Sequence, residues 1–257
     1  MFELLLNQSK IIDELGGVWI SFLLVFSRMA GFVSLAPVIG QKALPALIKI
    51  AFAILLTLLM FPNIDTPSEY PNRGVFVYLI AINALIGVLI AWIANLVIEA
   101  VKTAGEIINM EMALQAATLF DPGSQSQTTI VGKFFDLLAL ILFISVGGME
   151  KLIEGLYKSF NLFPIATYEL NLNVANLIKA SSEVMSMGFL IVSPIVMILL
   201  IMDLILGLMS RAAPQINAFQ VSFSLKPSIG ILLLLLLLPA LMPIFISIFS
   251  NPMKYFY

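Results

Sequence analysis

LGLMSRAAPQINAFQVSFSLKPSIGILL, residues Leu206–Leu233, is a polar elbow between two stretches that are almost wholly apolar. Upstream, Val184–Met202 carries no charge before Asp203; downstream, Ser228–Ser250 contains the unbroken run Ile231–Leu238. Pro214 and Pro227 limit helix continuation through the elbow, so the segment predicts the tip of a helical hairpin. Arg211 and Lys226 fit there as loop charges, or as side chains that snorkel along apolar surface toward water.

Outward from the hairpin, further apolar blocks run over Val18–Ala36, Ala46–Phe61, Val75–Ile98 and Phe134–Gly148. A bilayer-spanning helix needs roughly 20 apolar residues, and Val75–Ile98 meets that without a charge. Arg28, Lys49 and Asp136 interrupt the other three, a pattern that suits helices buried in a protein assembly at least as well as helices in lipid. Of the 257 residues 61% are hydrophobic and 11% charged. With a mean hydropathy of +1.07, the chain reads as a membrane protein. It has neither cysteine nor histidine, which removes disulfides, thiolate chemistry and the usual zinc and haem ligand sets. No cofactor, metal ligand or catalytic residue is therefore expected. Lys and Arg are scattered singly, so nucleic acid is not an expected partner. The N-terminal MFELLLNQSKIIDELGG carries three acids in place of a basic leader, which suggests insertion without cleavage.

Lysine and arginine in the loops of a six-span arrangement fall six on one side and six on the other. The positive-inside rule gives no orientation, as expected where helices do not simply cross the bilayer.

The middle of the chain is different. In EAVKTAGEIINMEMALQAATLF, residues 99–120, Glu99, Lys102, Glu106 and Asn109 recur at three- and four-residue spacing along one face. That predicts an amphipathic helix ending near Phe120. Asp121-Pro122-Gly123 has the order of a type II turn, and Ser124–Thr129 offers N-caps for the next helix. From Leu114 to Thr129 this stretch is polar and carries a single charge, Asp121. Met110 and Met112 flank Glu111 beside it, and their flexible thioethers suit a compliant seal, whereas the later methionines suit core filling.

Asp136 and Asp203 are the only acids embedded in apolar sequence. Such acids are costly unless paired, so they are read as structural partners of a cation such as Arg28, Lys133 or Arg211, with a proton relay as the other reading.

The combination of LFDPGSQ (119–125), FDLLALILFISVGGMEKLI (135–153), SFNLFPI (159–165) and LGLMSRAAPQINAF (206–219) resembles the FliR/SctT family of type III secretion export gate proteins. The resemblance covers nearly the whole chain, with DPGS and LGL-x-x-R-x-A-P-Q its most specific parts. Gly148-Met149 departs from the Gly-His pair common in that family. The elbow itself is similar to that of the small two-helix gate subunit FliQ. The resemblance implies an all-α integral membrane protein whose helical hairpins form part of a hetero-oligomeric export gate and are not simple bilayer spans. It implies one membrane domain over 1–257, with a FliP-like gate half at 1–175 and a FliQ-like hairpin at 176–257. Implied partners are FliP, FliQ, FlhB and FlhA type subunits, unfolded substrates in transit and membrane lipid, at the flagellar basal body in the bacterial inner membrane. In that family the loop matching 110–127 helps to plug the channel. Met110, Met112, Ala116, Ala117, Thr118, Leu119, Phe120, Asp121, Pro122, Gly123 and Ser124 are the plug residues so implied. Arg28, Asp136, Asp203 and Arg211 are expected as structural polar groups, and Gln215 and Lys226 at a cytoplasmic entrance. A plug that must pass any unfolded sequence should be small and low in charge, because fixed charge would trap some segments and repel others. From the residues alone, a small ion-coupled transporter subunit using Asp136 and Asp203 is the alternative.

Overall fold

The computed structural model describes residues 2–40, 44–64, 73–114, 129–168, 174–215 and 217–249, with only the backbone for 2–15, 73, 174, 176, 218 and 248. Seven α-helices follow one another among these residues: α1 Phe2–Leu35, α2 Ala46–Met60, α3 Arg73–Glu111, α4 Ile130–Ser145, α5 Gly148–Leu162, α6 Val174–Ala212 and α7 Ala218–Phe249. The described residues contain no strand. Five helices are long and apolar enough to cross a membrane, or six spans if α4 and α5 count as one broken span. The chain is an all-α membrane protein. The break falls at Gly147, whose φ of 74° is cheap for a residue without a Cβ. At 39 residues each, α3 and α6 are about 58 Å long at 1.5 Å per residue, well beyond the ~30 Å hydrocarbon thickness.

Two compact units emerge. One gathers the described parts of Met1–Asn95 and Met149–Leu177, the other those of Leu96–Gly148 and Ile178–Pro252. In the first, α1 and α3 meet at glycine. A Cβ on Gly31 would overlap the Ala84 carbonyl, and one on Gly87 the Arg28 carbonyl. Small residues at a crossing let two helix backbones approach to contact distance. Leu24, Met29 and Phe32 of α1 and Leu79, Ile86 and Ile90 of α3 are buried there, with Leu152 and Leu156 of α5. Helix α2 packs on α1 but buries only Ala53, Leu56, Thr57 and Met60, leaving Leu47 79% exposed.

In the second unit the buried face of α4 carries Phe135 and Phe143. Their rings meet Phe245 and Phe249 of α7 edge-on, with centroids 6.3 and 6.1 Å apart. Gly105 of α3 leaves the space that Phe135 fills, and Gly188 of α6 lies against the Ala100 carbonyl. Much of α6 and α7 turns apolar side chains outward, Leu190 and Leu236 among them. Pro194 lies inside α6 and has no N–H for the Leu190 carbonyl, but the Ser193 hydroxyl donates to that oxygen at 2.8 Å.

Candidate functional site

The polar central stretch is held by the ends of α3 and α4, both in the second unit. Along the last turns of α3, Glu99, Lys102 and Glu106 keep the exposure expected of a polar face, with Lys102 donating to Glu99 at 2.8 Å, but Asn109, expected on that face, is buried with Ala104, Ile108 and Met112. The α-helix stops at Glu111, short of the end expected near Phe120. The reason is local. Ala113 takes a left-handed φ of 57°, its N–H bonds the Met110 carbonyl at 2.9 Å, and the Leu114 N–H reaches the Asn109 carbonyl at 3.3 Å. This pair of bonds is a Schellman cap, which normally places glycine where Ala113 stands. Nothing in the apolar periodicity announces such a stop.

The other root is equally defined. Thr129 is the N-cap of α4, its hydroxyl accepting from the Gly132 N–H at 3.0 Å, as one of the caps available in Ser124–Thr129. Gly132 lies against α3, because a Cβ there would sit 2.8 Å from the Glu106 side chain. The two roots are thus neighbours. Of the residues expected to plug a channel, Met110 is 57% exposed, whereas Met112 is fully buried against Gly230 of α7. Ala116, Ala117, Thr118, Leu119, Phe120, Asp121, Pro122, Gly123 and Ser124 lie outside the described residues.

The structural polar groups separate into three settings. Asp136 pairs with Lys133 one turn earlier, at 3.1 Å on the surface of α4. Asp203 pairs with Lys226, at 2.5 Å across the α6–α7 hairpin. Lys226 is only 8% exposed, while Gln215 and Arg211 at the tip are open. Arg28, in the first unit, meets no carboxylate among the described residues. Its Nε and Nη2 donate to Asn83 Oδ1 at 3.1 and 2.6 Å, Nη1 to Ser159 Oγ at 3.1 Å, and Nη2 also to the Phe163 carbonyl at 2.6 Å. The guanidinium carbon lies 4.1 Å from the centre of the Phe160 ring, a cation–π contact. Asn83 is itself fixed, donating to the Leu79 and Ile165 carbonyls at 2.9 Å each.

Sequence reasoning did not single out Asn83, Ser159, Gly87 or Gly230. A glycine inside an apolar helix is the one signal that could have pointed to the last two, since such a glycine costs helix stability unless a neighbour needs its space. Chemically, among the described residues the site offers no nucleophile–base pair and no group of three or more acids that could hold a metal ion. It offers two adjacent, firmly capped helix ends from which a low-charge segment departs.

Comparison with known proteins gives a consistent picture. The family described as bacterial export proteins, family 1, matches residues 19–251. The chain is 32% identical to the flagellar biosynthetic protein FliR of Escherichia coli over 239 residues, 91% of each chain. It is 34% identical to that of Aquifex aeolicus over 224 residues, 86% of each. It is also 26% identical to the surface presentation of antigens protein SpaR of Shigella sonnei over 212 residues, 82% of each.

Proposed function

The chain belongs to the bacterial export proteins, family 1, and from that premise we propose that it is a non-catalytic gate subunit of the flagellar type III export apparatus. In this reading it sits in the bacterial inner membrane at the flagellar basal body and assembles with FliP, FliQ, FlhB and FlhA type subunits. Unfolded substrates pass through the channel that these subunits enclose, and the stretch Met110–Gln127 helps to close it at rest. The flagellar assignment follows the names of the relatives with the higher identities.

The observation that carries the closing role is the pair of neighbouring capped roots, Asn109–Leu114 and Thr129–Gly132. Two capped helix ends side by side can present the intervening residues, of which Asp121 alone is charged, as one compact projection. A transporter reading would need Asp136 and Asp203 free to take up ions or protons. Their pairing with Lys133 and Lys226 favours a structural role instead.

Deleting a few residues from within Ala116–Gln127 should leave the gate assembled and make resting cells leaky to ions and small solutes. A shortened chain that assembles, keeps cells tight and exports at the normal rate would make the segment a passive connector.

A further inference from the structure

Gly230 sits in α7 one turn beyond Lys226. A Cβ on this glycine would lie 2.5, 2.6 and 2.9 Å from the Cε, Cγ and Sδ atoms of Met112, so the thioether occupies the space that any other residue at 230 would fill. Met112 has no exposed surface in consequence. It is also the capping residue of α3, immediately before Ala113, whose left-handed backbone is unfavourable for a residue with a Cβ. A strained cap persists only where its surroundings determine it. The neighbour that meets Met112 here is α7, and α7 is tied to α6 by Lys226 and Asp203.

We infer that Met112 and Gly230 form a clasp through which α7 sets the direction in which the chain leaves α3. Met112 is then a positioning residue, acting through fit in a glycine notch. Of the two thioethers beside the polar segment, Met110 is the one exposed for contact with other chains. The inference rests on the closing role proposed above and adds the element that holds the closing segment at its root.

The test uses the assembled gate in cells, with leak of ions and small solutes at rest as the readout. Met112→Ala and Gly230→Ala should each raise the leak several-fold, the first by emptying the notch and the second by expelling the thioether from it. Combined, they should return the leak toward the parent value, because the new methyl at 230 takes up room vacated at 112. Two merely destabilising changes would add instead. The chain has no cysteine, so the pair Met112→Cys with Gly230→Cys supplies a reversible version. A Cβ at 230 lies 2.6 Å from Met112 Cγ, which puts the two Cβ atoms within about 4 Å, the range of a disulfide. Oxidised, this variant should be as tight as the parent; reduced, it should keep the small residual leak of the combined alanine variant. Single variants that assemble without added leak, a double variant no better than either single one, a pair that does not crosslink, or equal leak in both redox states would each overturn the clasp. Loss of assembly in every variant would assign the contact to folding alone and overturn it too. If segment shortening causes leak while these variants do not, the clasp fails and the closing role stands. If shortening causes none, the closing role itself has failed.

Discussion

Arg28 and Lys226 are both buried cations in apolar helices, and the molecule treats them in opposite ways. Arg28 is enclosed within one unit and bonds four of its five N–H donors to neutral acceptors from α3, α5 and the Phe163 backbone, with an aromatic face beneath it. Lys226 has a carboxylate, but that carboxylate belongs to a side chain with 43% of its surface open. The difference is one of completeness. A planar guanidinium with five N–H donors can be satisfied by oxygens arranged in several directions, and then it joins whatever supplies them. An ammonium paired with one half-open acid leaves acceptor capacity facing outward. The first arrangement fixes a core, and the second leaves a polar edge on a hairpin whose remaining outer surface is apolar.

Removing Arg28 is the strongest way to break this contrast. Arg28→Met keeps the volume but leaves Asn83 Oδ1, Ser159 Oγ and the Phe163 carbonyl without their donor, at a cost of about 3 kcal/mol or more. Thermal unfolding of the detergent-purified gate should show that loss; a variant within about 0.5 kcal/mol of the parent would mean that the network is incidental. Asp203→Asn should cost less, on the order of 1 kcal/mol, because the acid is partly solvated and the amide still accepts a hydrogen bond from Lys226. Adding Lys226→Met to it should recover stability, since an apolar side chain removes the stranded charge altogether. If the double variant is the less stable one, the pair is more than a local compensation. Lys133→Ala should be nearly silent, below about 0.5 kcal/mol, as its bridge to Asp136 is a single-turn pair on an exposed surface. A large effect there would show that another subunit covers this face of α4.

Hydropathy made the helices legible because burial and membrane contact both select the same residues over a turn-length scale. The apolar blocks reappear as α1, α2, α3, α4, α6 and α7, but the connection between α6 and α7 is only 213–217, much shorter than the elbow Leu206–Leu233, because α7 continues through Pro227. Lengths were less legible. The apolar block Val75–Ile98 and the amphipathic stretch that follows it are one helix, and α3 runs through Glu99, Lys102 and Glu106 without a break. Its end was misjudged because alanine gives no warning that it will adopt a left-handed conformation. Partners were legible when local and obscure when distant. Lys133, one turn from Asp136, was among the cations considered for the buried acids, whereas Lys226 reaches Asp203 only once the elbow has folded the hairpin. The notches at Gly87 and Gly230 belong to the same class, since the side chain or carbonyl that needs the space comes from a remote helix.

The hydroxyl of Ser193 has a consequence for how α6 meets its surroundings. A proline in a helix ordinarily strips one carbonyl of its donor, and a bare carbonyl is an acceptor that hydrocarbon cannot serve. On α6 that oxygen belongs to Leu190, whose side chain faces outward, and the residue beside the proline supplies the missing hydrogen. The repair is made entirely within the helix. The turn around Pro194 therefore presents no unmet polar group, whether its neighbour is a lipid tail or another subunit's side chains. It can exchange one environment for the other as the gate assembles without rebuilding its own hydrogen bonds.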